Sequence, residues 1–337
     1  CLEKIYFLFD FRMFKFVTSN KTMLNVNNIS FSYSDHPTIE SVTFSLAKGK
    51  NLAIIGESGC GKSTLLKLIY GLYDLNAGQI LWQEKAILGP KFNLIPGMDF
   101  MKYLAQDFDL MPYISVAENI GKFLSNMYPE QKKERIATLL ELVEMTKFAN
   151  TKVQFLSGGQ MQRVAIARVL ALEPEVVLLD EPFSHIDNFR KNSLRRKVFQ
   201  YLKEKEITCL IATHDSQDIL GYSDETLVMK NGKVVVNAET KSIYENPNNF
   251  YVASLYDDVN EIPKHWLDVN SSDETVLLVY PYQLHVVAES HFQVQVVASY
   301  LKGNGYLVAA TCQNRPVFFE SKKPYKPCDL VRLKYEK

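Results

Sequence analysis

The sequence predicts an α/β fold followed by a smaller all-β unit, and three observations carry this prediction. Short apolar runs at 51–55, 176–179 and 209–212 each end in polar residues, which is typical of buried parallel strands. Helical spacing of apolar residues follows the first of them. Beyond residue 275 the pattern changes to short strands, two of which flank the turn sequence KGNG at 302–305, a strong hairpin signal.

A glycine-rich loop follows the first apolar run. Residues 56–64 have the sequence GESGCGKST, and its strand–loop–helix setting disfavours a coincidental glycine-rich turn. Backbone N–H groups of such a loop and the N-terminus of its helix hold phosphate, while the lysine reaches the β- and γ-phosphates and the serine binds Mg²⁺. We therefore predict a nucleoside triphosphate site whose binding residues are Gly56, Glu57, Ser58, Gly59, Cys60, Gly61, Lys62, Ser63 and Thr64.

Polar side chains also end the other two apolar runs. Asp180 follows one strand and is placed to be the Mg²⁺ partner, and the adjacent Glu181 can orient or deprotonate a water molecule. His214 follows the other strand, where it can donate a hydrogen bond to a γ-phosphate. Taken alone, the two acids fit a solvated turn and the histidine fits a structural role. Their functional interpretation therefore depends on the preceding phosphate loop.

In their order, these motifs closely resemble the ATP-binding cassette (ABC) ATPase family over residues 24–255. Tyr33, 23 residues before Gly56, matches the aromatic residue that stacks on adenine. Gln106, within LAQD, matches the Q-loop glutamine of this family. Residues 156–160, LSGGQ, match the family signature, and 184–187 match the loop after the catalytic glutamate, with Ile186 replacing the usual leucine.

The resemblance implies a phosphate-loop (P-loop) NTPase cassette over 23–255 with a helical subdomain at about 107–168. Two cassettes would pair head to tail and share each ATP, so that one chain supplies the phosphate loop and the other supplies Ser157, Gly158, Gly159, Gln160 and Asp187. Its implied catalytic residues are Lys62, Gln106, Glu181 and His214. Its implied Mg²⁺ ligands are Ser63, Gln106 and Asp180.

The signature has a physical basis for such a contact. A helical pattern follows Ser157, so this segment begins a second helix whose N-terminus can hold the other side of a γ-phosphate. The signature segment forms a glycine-containing helix cap whether or not it binds a nucleotide. Only the contact with a second chain is specific to the function.

Helical patterns also fill the stretch between Gln106 and the signature. Ser115 and Glu118 predict a capping box. Core packing accounts for most of the apolar residues here, but the resemblance places the contact with membrane subunits in this subdomain. The candidates for it are Met111, Pro112, Tyr113 and Ile114.

Composition excludes several other classes. Lys and Arg number 38 and so do Asp and Glu, and zero net charge argues against a nucleic-acid partner. The basic runs 190–191 and 195–197 are expected to form a solvated helix face. The five cysteines sit singly in the sequence, without CxxC spacing, which indicates a reduced, cytosolic protein without a zinc site. No apolar stretch approaches the ~20 residues that span a bilayer, so a membrane role requires a partner subunit.

Both ends of the chain differ from the cassette. Residues 1–22 are expected to be an extension without function, or alternatively a membrane-surface peptide. Residues 256–274 are predicted to be a linker, and 275–337 an OB-like, TOBE-type β-barrel as found on importer cassettes. Tyr280 and Tyr282 stand where that barrel's opening segment has arginine and glutamate. The barrel is expected to act as a dimer spacer, or alternatively to sense a solute or anion.

These features predict the ATP-hydrolysing subunit of a membrane importer, most similar to the iron, polyamine, sulfate and molybdate group. Its cofactors would be ATP and Mg²⁺. Its partners would be a second copy of itself, integral membrane permease subunits and, indirectly, a substrate-binding protein. It would lie at the cytoplasmic face of the inner membrane as a peripheral protein. The alternatives are the ATPase of an exporter or lipid-handling system, and a soluble ABC ATPase.

Overall fold

The computed structural model describes residues 22–267 and 275–336. The predicted extension therefore lies outside the described residues, apart from Thr22, the first residue of strand β1. The strands are β1 (Thr22–Ser32), β2 (Pro37–Ala47), β3 (Asn51–Ile55), β4 (Ala77–Trp82), β5 (Lys85–Ala86), β6 (Met101–Leu104), β7 (Val176–Asp180), β8 (Thr208–Ala212), β9 (Glu225–Lys230), β10 (Lys233–Glu239), β11 (Asn260–Pro263), β12 (Val276–Val279), β13 (Leu284–Val286), β14 (Gln293–Lys302), β15 (Gly305–Cys312), β16 (Arg315–Ser321) and β17 (Leu330–Tyr335).

The helices are mostly short. They are α1 (Lys62–Tyr70), α2 (Val116–Gly121), α3 (Pro129–Leu142), α4 (Gly158–Leu170), α5 (Asn188–Glu204), α6 (Ser216–Tyr222), α7 (Thr240–Glu245), α8 (Phe250–Ser254) and α9 (Lys264–Leu267). Across residues 22–267 and 275–336, none of these helices has both the length and the apolar character needed to cross a membrane.

A six-stranded sheet in the order β10-β9-β3-β8-β7-β6 forms the centre of the cassette. The three predicted apolar runs are its central strands β3, β7 and β8, which pair in parallel. Nearly every residue of these strands is buried, which explains why they show no alternation of polar and apolar residues. Because parallel strands end at the same edge, the loops that follow β3, β7 and β8 meet there.

Two hydrophobic cores cover the two faces of this sheet. One face packs with α1 against a second sheet in the order β2-β1-β4-β5, through residues such as Leu24, Ile54 and Leu65. The other face packs against the helices of 116–170 and against α5, through residues such as Ala53 and Val164. The central sheet is thereby fixed on both sides, and the loops at its edge start from rigid elements.

The predicted α/β fold with a smaller C-terminal β unit is confirmed. β13 to β17 form an antiparallel sheet in the order β13-β17-β14-β15-β16. The turn predicted at 302–305 is present, since Lys302 of β14 pairs with Gly305 of β15. The capping box predicted at Ser115 and Glu118 also forms at the start of α2.

The predicted linker, 256–274, is described as far as residue 267, and this part contains a strand and a short helix. Residues 268–274 lie outside the described residues. In the described part, β11 pairs antiparallel with β12, and Trp266 of α9 joins the C-terminal core. The Asn260 amide donates to the carbonyl of Phe318 at 2.8 Å and accepts from the Phe318 N–H at 2.7 Å. Residues 260–267 therefore pack with the C-terminal unit. Four residues of strand are too few to give a visible period in the sequence.

Stacked tyrosines connect the C-terminal unit to the cassette. The Tyr244 ring of α7 lies 4.8 Å from Tyr280 at 16°, and the Tyr280 ring lies 5.9 Å from Tyr282 at 10°. Tyr280 is only 2% exposed. The two tyrosines, which stand where arginine and glutamate were expected, thus form an aromatic contact with α7.

Candidate functional site

The phosphate loop joins the end of β3 to the start of α1. Its first glycine, Gly56, has φ +148°, and a Cβ there would lie 2.2 Å from the carbonyl oxygen of Met229. Gly61, which precedes α1, has φ +108°. Both positions thus favour glycine, the first for close approach of the backbone and both for the left-handed conformation.

The Lys62 ammonium lies over this loop. Its Nζ donates to the carbonyl oxygens of Gly56 at 2.8 Å and Glu57 at 3.0 Å. Cys60 is buried beside it, and burial raises the pKa of its thiol while Lys62 opposes that rise. A lysine charge and the free N–H groups of a helix N-terminus together form an anion site of the kind that holds phosphate.

Asp180, at the end of β7, contacts the first turn of α1. Its Oδ1 accepts a hydrogen bond from Ser63 Oγ at 2.9 Å, and its Oδ2 accepts one from the Tyr103 hydroxyl at 3.2 Å. The residue is 3% exposed. Burial raises the pKa of the carboxyl, and the two hydroxyl donors lower it.

The donors in this group suit Mg²⁺, which prefers carboxylate and other hard oxygen ligands. The Ser63 hydroxyl and the Asp180 carboxylate are joined directly by a hydrogen bond. Gln106 lies two residues after the end of β6 and is exposed. Among the described residues, its side chain makes no hydrogen bond to either of them, so the structure brings together two of the three predicted ligands.

Glu181 and His214 meet at the edge of the central sheet. His214 Nδ1 lies 2.8 Å from Glu181 Oε1, and the histidine side chain is 73% exposed whereas that of the glutamate is 17% exposed. Glu181 has φ +50°, a left-handed conformation that costs energy for a residue with a Cβ and is often found at functional sites. The sequence predicted both residues, but it did not predict that they contact each other.

Tyr33 is the predicted adenine residue, and it lies in a small aromatic group. Its ring packs edge-to-face against Phe31 at 4.8 Å and Tyr73 at 5.3 Å. Its hydroxyl is 3.3 Å from the Thr64 hydroxyl in the first turn of α1. The residue is 54% exposed, so much of its surface beside the first turn of α1 is available for contact.

The signature begins α4, as predicted. Ser157 and Gln160 form a reciprocal capping box, in which the serine hydroxyl accepts from the Gln160 N–H and the glutamine side chain accepts from the Ser157 N–H. A Cβ on Gly159 would lie 2.6 Å from the carbonyl oxygen of His185. The glycine therefore lets the loop after Glu181 pack against the start of α4.

The signature and the phosphate loop of one chain do not contact each other through hydrogen bonds in the described parts of the chain. Ser157 and Asp187 are both exposed, and Asp187 precedes α5 without capping it through its side chain. The predicted residues thus form two groups: one at the edge of the central sheet, and one at the N-terminus of α4.

Three contacting residues were missed by sequence analysis. Tyr103 binds Asp180, and Gln162 of α4 donates to the carbonyl of Glu181 at 2.8 Å. Arg195 was expected on a solvated face, but it is 2% exposed and forms ion pairs with Asp215 and Asp218. The expectation was wrong because the helix turns Arg195 inward beside Leu194 and Val198. The only sign of these ion pairs in the sequence is the presence of two acids, Asp215 and Asp218, soon after His214.

Comparisons with known proteins agree with this arrangement. Residues 39–184 match the profile of the family described as ABC transporter. The chain is 33% identical over 255 residues to the Fe(3+) ions import ATP-binding protein FbpC of Haemophilus influenzae, covering 75% of this chain and 73% of the relative. It is 35% identical over 239 residues to the spermidine/putrescine import ATP-binding protein PotA of Roseobacter denitrificans, covering 70% and 65%.

Solved structures show the same fold. CbiO1 from Clostridium perfringens, part of the ABC transporter complex cbiONQ, matches with a TM-score of 0.59 at 29% identity, covering 67% of this chain and 91% of that one. A dimeric ATP-binding cassette in a post-hydrolysis state, bound to ADP and phosphate, matches with a TM-score of 0.56 at 25% identity, covering 65% and 99%.

Proposed function

The chain belongs to the ABC transporter family of ATP-binding proteins, and from this premise we propose that it hydrolyses ATP to power solute import through a membrane transporter. The observation that carries the proposal is the group at the sheet edge. There the phosphate loop with Lys62, the buried Asp180 and the Glu181–His214 pair all meet. The named import proteins among the relatives, FbpC and PotA, support the direction of transport.

Each residue at the sheet edge has a distinct role in the proposed reaction. Lys62 and the α1 N-terminus bind the β- and γ-phosphates, and Tyr33 stacks on adenine. When bound, Mg²⁺ would neutralise charge that develops on the phosphates, and Ser63, Gln106 and Asp180 would hold it. Glu181 orients the attacking water or accepts its proton. His214, already in contact with Glu181, would donate to the γ-phosphate from an exposed position.

The second half of the site would come from another copy of the chain. The α4 N-terminus, with exposed Ser157 and the Gly158 and Gly159 N–H groups, has the geometry to hold a γ-phosphate. It makes no hydrogen bond to the phosphate loop within the described ranges of its own chain. A head-to-tail dimer places this terminus, with Gln160 and Asp187, on the partner's nucleotide. Closing the pair excludes water and completes the site.

The proposed membrane partners are permease subunits, contacted by the segment 111–114 in the helical subdomain. Tyr113 is 74% exposed in this segment. A substrate-binding protein would deliver the solute to the permease. The chain would lie at the cytoplasmic face of the inner membrane, and it has no proposed nucleic-acid partner. Integral membrane subunits that co-purify with it would separate this proposal from a soluble ABC ATPase.

The central test is Glu181→Gln. The variant should bind ATP and form ATP-dependent dimers, because its charge-neutral side chain keeps the shape of the site. Its hydrolysis should fall by about 10² to 10⁴, the typical contribution of a positioned base. Phosphate release at steady state and light scattering with ATP measure the two effects.

Glu206→Gln is the matched control. Glu206 is an exposed glutamate with φ +51°, close to the φ of Glu181, and its replacement should leave turnover unchanged. Turnover of Glu181→Gln at the rate of the unmodified protein would remove Glu181 from the mechanism.

A further inference from the structure

The Tyr103 hydroxyl is a contact of Asp180 that the assigned roles do not use. We infer that Tyr103 is a positioning residue for the metal site: it holds the Asp180 carboxylate in the orientation in which Asp180 and Ser63 together receive Mg²⁺. The inference rests on the proposed function, since it assumes a metal at this position.

Both carboxylate oxygens of Asp180 are occupied by hydroxyl donors. Ser63 donates to Oδ1 at 2.9 Å and Tyr103 donates to Oδ2 at 3.2 Å. Asp180 is 3% exposed, so bulk water has little access to either oxygen. A buried carboxylate needs such partners because leaving a charged oxygen unpaired costs more than the bond itself contributes.

The strand that carries Tyr103 also leads to Gln106. β6 pairs in parallel with β7, with Tyr103 opposite Leu178, two residues before Asp180. The ring of Tyr103 is restrained by Tyr70 of α1, at 5.6 Å between centroids and 35° between planes. One strand therefore brings the hydroxyl to Asp180 and ends two residues before the proposed ligand Gln106.

The hydroxyls of Ser63 and Tyr103 differ in the contacts that each can make when a cation is bound. Ser63 can keep donating to Oδ1 while a lone pair of its oxygen faces a cation. The Tyr103 hydroxyl would not contact the cation, so its hydrogen bond serves only to fix Oδ2. With both oxygens held, the carboxylate plane is fixed; without the Tyr103 hydroxyl it can turn about its broad terminal torsion. The Ser63 hydroxyl would then lose its fixed acceptor, and the site would bind Mg²⁺ less well.

The test compares nucleotide binding with and without Mg²⁺ in Tyr103→Phe. Both this variant and its parent carry Glu181→Gln, so that ATP is not consumed. ATP binding is measured by calorimetry across a titration of MgCl₂ and again in EDTA. The Mg²⁺ concentration at half effect should rise about tenfold, the scale of one hydrogen bond to a charged group. ATP affinity in EDTA should not change.

Tyr70→Phe is the matched control, because it removes a hydroxyl from the neighbouring ring and should leave the Mg²⁺ titration unchanged. Tyr103→Leu also lacks the hydroxyl and is measured in the same way, so poor folding of one variant does not leave the question open.

An unchanged or tighter Mg²⁺ titration in the Tyr103 variants overturns the inference. Equal losses of ATP affinity with and without Mg²⁺ overturn it too, since they indicate a role in folding only. If the parent protein binds ATP without any Mg²⁺ dependence, the proposed metal site itself is wrong and the inference fails with it.

Discussion

Tyr33 shows, at the scale of a single residue, how neighbouring side chains prepare a contact. Two aromatic rings hold it edge-on, and the Thr64 hydroxyl lies within hydrogen-bond distance of its own. The residue is largely exposed next to the first turn of α1. A ring already fixed in place loses little side-chain entropy when it binds a base.

We predict that Tyr33→Ala weakens ATP binding by about 1–2 kcal/mol, the scale of stacking between an aromatic ring and a base. The maximal rate of hydrolysis should change much less, because Tyr33 is assigned to the base and not to the γ-phosphate. Titrations with ATP and with inorganic triphosphate measure the effect. Tyr300→Ala, which removes a similarly exposed tyrosine from the C-terminal unit, should change neither. If inorganic triphosphate loses as much affinity as ATP does, the stacking assignment is wrong.

At the scale of secondary-structure elements, α5 is fixed to the segment that carries His214. Arg195 of α5 forms ion pairs with Asp215, the residue after His214, and with Asp218 of α6. The Thr213 hydroxyl donates to Asp218 at 2.8 Å. Burial raises the pKa of Asp218 to about 6, and Arg195 opposes that rise. The position of His214 therefore depends on a buried charge cluster as well as on β8.

Removing Arg195 should destabilise the protein in a way that depends on pH. Arg195→Ala leaves the Asp218 carboxylate buried without its cation, which typically costs about 3–5 kcal/mol. The loss should be largest above pH 7, where Asp218 is charged. It should shrink as the pH falls towards about 6 and be smallest below that, because a protonated Asp218 needs no cation. Denaturant unfolding at pH 5 and pH 8 measures the difference.

Arg196→Ala is the control for this prediction, since Arg196 is the exposed neighbour and its removal should stay within about 0.5 kcal/mol. An Arg195→Ala variant that is destabilised equally at both pH values would show that lost packing, and not the charge cluster, explains the effect.

The fold and the proximity of Ser63 to Asp180 could be predicted from the sequence, but the other contacts around the motifs could not. β3, β7 and β8 are visible because burial on both faces leaves an uninterrupted apolar run. Lys62 and Ser63 are visible because the loop chemistry requires fixed spacing. The contacts of Tyr103 and Arg195 join segments 77 and 20 residues apart, so no local pattern marks them. The strand within the predicted linker was missed because only four residues of β11 pair with β12.

At the scale of the whole molecule, one chain carries two separate groups of candidate site residues. The phosphate loop, Asp180 and the Glu181–His214 pair form one group, and the α4 N-terminus, the proposed second half of the site, forms the other. In the described parts of the chain, no hydrogen bond joins residues 157–160 to residues 56–64. This separation is the reason to propose that ATP is shared between two copies.

The measurement that tests the shared site most directly is ATP-dependent dimer formation in a mixture of two variants. Lys62→Ala removes a charge from the phosphate loop, and Ser157→Arg fills the opposing helix terminus with a side chain. Both variants carry Glu181→Gln, so that ATP is retained, and each is first shown by its thermal unfolding to be folded. Ser125→Arg, which adds the same charge at an exposed serine, should leave dimer formation unchanged.

Neither variant should dimerise with ATP when it is alone, because both of its sites are defective. In a mixed dimer the two defects fall in one composite site and the other site is intact. Light scattering should therefore detect ATP-dependent dimers in the mixture only. Two folded variants that gave no dimers on mixing would contradict the shared site. So would hydrolysis of ATP by the unmodified protein as a monomer, at a rate per chain independent of protein concentration.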